Sequence, residues 1–144
     1  VIDYQQRSFQ EEVAKLTDGR GVDVILDHIG AAYLHANLKS LAVNGTLMLI
    51  GVMGGAKSDL NLAQLMVKRQ KIAGSVLRPR PVGEKSAIIS RFASEALELF
   101  SDGKIIPLVH KVFPLEKVVE AHKLMESSGH FGKLVLIIDS EVSL

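Results

Sequence analysis

Four short apolar runs punctuate this chain, and the residues between them repeat at helical spacing. The runs are Val22 to Asp27 (VDVILD), Gly45 to Ile50 (GTLMLI), Lys71 to Leu77 (KIAGSVL) and Lys133 to Ile138 (KLVLII). Continuous apolar runs this short predict strands buried on both faces, as in a parallel sheet covered by helices. Val1 to Tyr4 is a fifth, shorter strand candidate. Phe9, Val13 and Leu16 predict a first helix, with Ser8 and Glu11 at capping-box spacing before it and Asp18-Gly19-Arg20-Gly21 stopping it. Leu34, Leu38, Leu41 and Ala42 make a second apolar helix face, ended by Asn44-Gly45. Leu62, Leu65 and Met66 mark a third helix, with Lys68 and Arg69 in its last turn, where cations suit the helix dipole.

The second half of the chain is less regular. Arg78-Pro79-Arg80-Pro81 predicts a rigid extended connector, because each proline fixes its own φ and restricts the residue before it. A long amphipathic helix follows, with Ile88, Phe92, Ala96 and Leu99 on one line and Ile89, Ala93, Leu97 and Phe100 beside it. Pro107 interrupts Ile105 to Pro114, which leaves room only for an edge strand or an extended connection. Leu115 to Ser128 is the last helix, with Val118, Ala121, His122 and Met125 inward.

Strands alternating with helices over connections of a few residues indicate βαβ units and a parallel sheet. In such sheets ligands sit outside the carboxyl ends of the strands. Two segments lie there: His28-Ile29-Gly30, and Gly51 to Gly55 with three glycines in five residues. Glycine allows close backbone approach and positive φ, so Gly51 to Gly55 is a candidate ligand wall.

Composition narrows the field. At 144 residues the chain is long enough for one core, and 47% apolar with 23% charged residues fits an ordinary globular protein. A net charge of +1, from 17 basic and 16 acidic residues, gives no electrostatic case for nucleic acid or an anionic membrane, and Lys68, Arg69 and Lys71 are too small a cluster to change that. Zero cysteines excludes disulfides, thiolate metal sites and a cysteine nucleophile, and fits a reducing compartment. With no run long enough to span a membrane and no signal-peptide pattern, the expected location is cytoplasmic. The five histidines include no H-x-x-x-H pair, so no metal site is expected, and no acid/base pair emerges to name catalytic residues.

Five segments, taken in order, carry a family resemblance: GVDVILDHIG, GTLMLIGVMGG, KIAGSVLRPRP, IIPLVHKVFPLEKVVEAHKLMES and FGKLVL. Together they resemble the quinone oxidoreductase branch of the medium-chain dehydrogenase/reductase superfamily, near the p53-inducible quinone oxidoreductase-like proteins. The resemblance covers essentially the whole chain, as the C-terminal two-fifths or so of such an enzyme. It implies an α/β, incomplete Rossmann-like (doubly wound) parallel sheet with helices on both faces, lacking the first two strands. Residues 1–144 would be one domain, the C-terminal part of a nucleotide-binding domain plus the family's last helix and strand, with the N-terminal catalytic domain absent. No G-x-G-x-x-G occurs to cradle a pyrophosphate. The implied parent is a zinc-free reductase using NADPH, with NADH left open by the missing segment, on a small-molecule quinone or enone.

The same resemblance assigns cofactor-binding positions. Tyr4 would lie at the adenosine 2′-phosphate end, where a phenol can donate to a phosphate oxygen. His28, Ile29 and Gly30 would pass beside the pyrophosphate and nicotinamide ribose. Gly51, Val52, Met53 and Gly54 would meet the nicotinamide carboxamide through the backbone. Leu77 and Arg78 follow the strand that pairs across a homodimer, through Lys71 to Leu77, and His130 precedes the closing F-G-K turn near the cofactor. Each has a plainer reading beside it: a surface tyrosine, a hydrogen-bonded turn, a glycine reversal, a solvated connector. His122 reads as a core residue.

Three functions follow. The first is the cofactor-binding portion of an NADPH-dependent quinone or enone oxidoreductase that performs hydride transfer. The second is a catalytically inert truncated domain that dimerises. The third is an S-adenosylmethionine-dependent methyltransferase fragment, whose sheets share the V-D-x-I-x-D strand. In strand order 3-2-1-4-5-6, Val1 to Tyr4 would be the far strand without its neighbours. The order is therefore expected to be regular from Val22 onward and anomalous before about Glu12.

Overall fold

In the computed structural model, which describes residues 1–138, three of the apolar runs line up as one parallel sheet. β1 (Val22–Asp27), β2 (Leu41–Leu49) and β3 (Lys71–Gly74) lie side by side in chain order. Ile25, Leu47 and Ile72 form one row across them. Side chains of α2 (Leu34–Ser40) and α3 (Leu62–Val67) meet that row, and Leu38, Leu41 and Leu47 are its fully buried centre. Each buried leucine contributes about 1.5–3 kcal/mol relative to an exposed one. α1 (Phe9–Leu16) packs on α2, with the Phe9 and Tyr33 rings 5.1 Å apart.

Val1 to Tyr4 is not a strand. The Asp3 carbonyl accepts from the amides of Gln6 and Arg7, and its carboxylate accepts from Gln5, which winds the segment into a turn. Within this sheet the strand order is regular from Val22 to Gly74, and Val1 to Tyr4 does not join it. The Ser8–Glu11 capping box does not form either: the Ser8 side chain caps nothing, and Glu12 takes Lys15 at 2.8 Å and Arg7 at 3.6 Å.

α2 ends at Ser40, four residues before Asn44-Gly45, so Leu41 and Ala42 belong to β2, although both are buried as expected. Asn44, at φ 65°, throws a wide bulge into β2, so that Val22 faces Leu41 but Val24 faces Thr46. Lys68 and Arg69 lie beyond the last residue of α3; Lys68 serves the end of a different helix, and Arg69 Nε donates to Asn44 Oδ1 in β2 at 3.0 Å. The Lys68 ammonium donates to the carbonyls of Lys39 (3.0 Å) and Leu41 (2.9 Å), and Gln70 Nε2 donates to Leu38 (2.8 Å). These are carbonyls that the end of α2 cannot pair by itself. β3 stops at Gly74 rather than Leu77, and Arg78-Pro79-Arg80-Pro81 is not extended: the Arg80 amide donates to Leu77 O across a turn.

Residues Val1–Val82 form one compact unit, and a second begins at Gly83. α4 (Val82–Ser101) has the predicted length, yet none of its residues is buried and Phe92 is 51% exposed. In the second unit β4 (Val109–Pro114), which starts past Pro107, pairs in parallel with β5 (Lys133–Ile137). α5 (Val118–Glu126), preceded by a 3₁₀ turn at Leu115–Lys117, packs on both strands. Phe113 of β4 and Ala121 of α5 are the buried hydrophobic side chains among the described residues of this unit, with Val118 and Leu124 of α5 partly covered. His122 and Met125 point outward, against expectation, and β5 is half-buried rather than buried on both faces.

Candidate functional site

The carboxyl ends of β1 and β2 carry the two predicted turns, and the main chain ties them together. The Ile50 amide donates to Asp27 O at 2.7 Å, Met53 to His28 O at 3.1 Å and Gly54 to Ile29 O at 2.7 Å. In return the Ala31 amide donates to Gly55 O at 2.9 Å. Four backbone hydrogen bonds thus make one ledge of residues 27–31 and 50–55. The first turn is also held from within. Asp27, 5% exposed, accepts from the Ile29 amide through Oδ1 (2.8 Å) and from the Gly30 amide through Oδ2 (2.9 Å). A carboxylate that accepts two backbone amides is a strong local clasp.

The glycines are explained largely by this contact between turns. A Cβ on Gly51 would lie 2.8 Å from His28 O, and Gly30, at φ +82°, would bring one within 2.8 Å of Gly55 O. Close approach is required, and what approaches is the neighbouring turn. The ligand-facing offer is different: among the described residues, the amides of Gly51 and Val52 donate to no protein acceptor. They are consecutive donors on a fixed edge, flanked by the exposed side chains of His28, Val52 and Met53. Such a pair can hold a carbonyl oxygen.

Two cavities adjoin the ledge. A groove of about 540 Å³ runs along β1, and Tyr4, Asp27, His28 and Ile29 are among its lining residues. A cleft of about 150 Å³ is lined by Gly30, Leu49, Val52 and Gly55 among others. The structure therefore brings Tyr4, His28 and Ile29 to one groove, Gly30 and Val52 to the adjoining cleft, and Gly51, Met53 and Gly54 into the tie between the turns. Leu77 and Arg78 follow the carboxyl end of β3, at the same end of the sheet because the strands are parallel. His130 belongs to the second unit. Its ring meets His110 edge-on at 6.3 Å, its buried Nδ1 has no partner, and the following amide, Phe131, donates to His110 Nδ1 at 3.5 Å.

Asp27 is the site residue that the sequence reading missed. The signal was present: an acid closing an apolar strand, with free amides two and three residues later, is the arrangement in which Asp side chains organise turns. No group of three or more His, Asp or Glu side chains able to hold a metal occurs among the described residues. No described helix is long and apolar enough to cross a membrane.

Residues 1–136 match the family described as zinc-binding dehydrogenase. Over 135 residues the chain is 30% identical to quinone oxidoreductase-like protein 2 of Bos taurus, covering 94% of this chain and 38% of that protein. It is 26% identical over 139 residues to a quinone oxidoreductase of Rattus norvegicus, covering 96% and 40%. Among solved structures, an NAD-dependent alcohol dehydrogenase superposes with a TM-score of 0.76 at 31% identity, over 96% of this chain and 37% of that one. A mycobacterial protein solved in complex with NADPH gives 0.72 at 29% identity, over 95% and 43%. The parallel sheet with its helices is the Rossmann-like arrangement of these dehydrogenases and reductases. The chain spans about two-fifths of the length of these two curated relatives.

Proposed function

The chain belongs to the zinc-binding dehydrogenase family, and from that premise we propose that it is the nicotinamide-side portion of an NADPH-binding domain in a quinone or enone oxidoreductase. The observation that carries this reading is the pair of unpaired amides at Gly51 and Val52, fixed on a strand-end ledge by the main chain of the neighbouring turn. A nicotinamide carboxamide offers a carbonyl oxygen of the kind these donors suit, so the residues fit the group. His28, Ile29 and Gly30 form the adjoining stretch of the ledge, and Met53 and Gly54 hold its shape. Leu77 and Arg78 close the same end of the sheet, Tyr4 lies along the groove beside it, and His130 is kept as the family resemblance assigns it. A bound nicotinamide cofactor supplies the hydride; the chain orients its head group and shields it from water.

A relative solved with NADPH supports the phosphorylated cofactor, and the dehydrogenase match over residues 1–136 favours a nicotinamide over S-adenosylmethionine. Residues 1–144 are read as part of the nucleotide-binding domain with its final helix and strand. Hydride transfer to the small molecule is assigned to the full-length protein, and the 144 residues alone are read as binding without turnover. β3 is an edge strand, which leaves its outer side open for the proposed homodimer. Calorimetric titration with NADPH, NADH and S-adenosylmethionine tests the reading. NADPH should bind, and Val52→Pro, which deletes one amide donor, should weaken it about tenfold, the loss of one hydrogen bond of roughly 1.4 kcal/mol. Binding of S-adenosylmethionine alone, or NADPH binding untouched by the proline, would overturn it.

A further inference from the structure

We infer that Asn44–Gly45 is this chain's site of covalent conversion to aspartate and isoaspartate, held unreactive by Arg69 and Lys68 while the β2 bulge is closed. Of the three asparagines, at 37, 44 and 61, only Asn44 precedes a glycine; the other two precede leucine. The reaction joins the Gly45 backbone nitrogen to Asn44 Cγ. The Cγ–Nδ2 bond breaks, and ammonia leaves with the proton that the nitrogen gave up through water. A succinimide ring remains, and water adds to one of its two carbonyls and opens it to aspartate or isoaspartate. A Cβ on the following residue crowds the attack, and glycine has none. Asn44 is exposed to solvent, whereas Asn37 is buried.

Ring closure needs rotation about two bonds of Asn44, Cα–Cβ and Cα–C, and the structure ties down both sides of the residue. The Asn44 main-chain amide donates to Lys68 O at 2.8 Å, and its side-chain Oδ1 accepts from Arg69 Nε at 3.0 Å. Consecutive residues of one loop thus hold the backbone and the side chain of the asparagine. Its main chain lies in the left-handed region, at φ 65°. Gly45 is buried, and a Cβ there would lie 3.0 Å from Ala42 O and 3.2 Å from Val22 O, so the neighbouring peptide is packed as well. The Arg69 guanidinium also has an opposing action, since a cation on the attacked carbonyl favours the negative charge that builds on Oδ1. An exposed contact of that kind contributes little, whereas attack requires the closed bulge to open locally. Restraint therefore prevails. Conversion would reach beyond residue 44. Val24 to Asp27 face Thr46 to Leu49 just past the bulge, and Leu49 leads into the ledge. Isoaspartate inserts an extra backbone atom where that register is set. None of this depends on what the ledge binds.

The test follows the full chain at mildly alkaline pH, folded and in urea, by mass spectrometry of the tryptic fragment 40–57, where Asn44 is the only asparagine. The folded chain is expected to convert at least about tenfold more slowly than the unfolded one. Arg69→Gly removes the side-chain tie yet suits the backbone there, which sits at φ 51°. With its fold checked by circular dichroism, it should convert about three- to tenfold faster than the parent, the effect of one hydrogen bond. In the unaltered chain, exchange of the Asn44 amide should be slowed by the same factor as conversion, because both need the same opening. That comparison stands even if the variant misfolds. Conversion of the folded chain as fast as the unfolded one would overturn the inference. So would an Arg69→Gly chain that converts no faster than the parent, or an Asn44 amide that exchanges freely while conversion stays slow.

Discussion

Replacing Asp27 should loosen the ledge more than any change of equal size on its exposed face. Its carboxylate accepts from two amides, at 2.8 and 2.9 Å, within a residue that is 5% exposed. A hydrogen bond to a charged group contributes about 1.5–3 kcal/mol. Two bonds on one carboxylate are not independent, so Asp27→Ala is expected to cost about 3 kcal/mol. Asp27→Asn keeps one acceptor oxygen and turns an NH₂ toward the other amide, so it should cost about half of that. The described residues include six buried hydrophobic ones, and 3 kcal/mol is a large share of a typical total of about 5–15 kcal/mol. The assay is urea denaturation followed by circular dichroism, with amide hydrogen exchange at Ile29 and Gly30 as the local readout. The alanine variant should lower the midpoint, and both amides should lose protection. An Asp27→Ala chain within about 0.5 kcal/mol of the parent, with both amides still protected, would refute the reasoning.

Gly51→Ala should destabilise by about 1–3 kcal/mol, because the added Cβ meets backbone at His28. Gly74→Ala, which meets nothing within 4 Å, should be neutral or stabilising by up to about 1 kcal/mol; thermal melts of the pair decide whether packing between turns is the cause. Lys68→Met removes the cation that donates to Lys39 O and Leu41 O at the end of α2, and should cost about 1 kcal/mol in the same melts, shrinking little in high salt because the bonds are to carbonyls. The hydrogen-bonded Arg20 guanidinium, aided by its charge, holds the Asp23 carboxyl below its ordinary 3.8. A folded-state value below the unfolded one makes the pair's contribution complete above about pH 4, to be lost as pH falls through the folded value. A carboxyl NMR titration should show the depressed midpoint, and Arg20→Ala should restore the ordinary one.

The sheet was legible because its evidence is local and redundant. Val22 to Asp27, Gly45 to Ile50 and Lys71 to Leu77 each combine an apolar run with a turn signal, and each holds one of three parallel strands in the anticipated order, the last only as far as Gly74. What was not legible depended on partners distant in sequence. Leu41 and Ala42 fit the periodicity of α2, but Asn44 is tied to Lys68 O at 2.8 Å, and that bond draws the preceding residues into β2. The roles of Lys68 and Gln70 were hidden for the same reason, since the carbonyls they serve lie 27 to 32 residues earlier. Ser8 and Glu11 have the right spacing, yet the Ser8 side chain makes no cap bond, and spacing alone does not set the side-chain geometry that a capping box needs. The glycines mark the turn after β2 in the sequence, but periodicity places Gly51 at a strand end and cannot say that His28 O lies 2.8 Å from where its Cβ would be.

The ledge is joined by main-chain atoms, and this separates what keeps its form from what gives it chemical character. Every bond between the turns runs from an amide to a carbonyl, which asks only for a residue other than proline at the donors Ile50, Met53 and Ala31, while Gly54 must also lack a Cβ, which would meet Ile29 Cγ2 at 2.7 Å. His28, Val52 and Met53 project outward from that frame and take no part in it through their side chains. They can be exchanged, singly or together, without asking the turns to find a new shape. The lengths of the two turns have no such freedom, since one inserted residue would put every donor out of step with its acceptor. A lineage built on this arrangement can diversify what it recognises by point substitution while inheriting the two loop lengths as a matched pair.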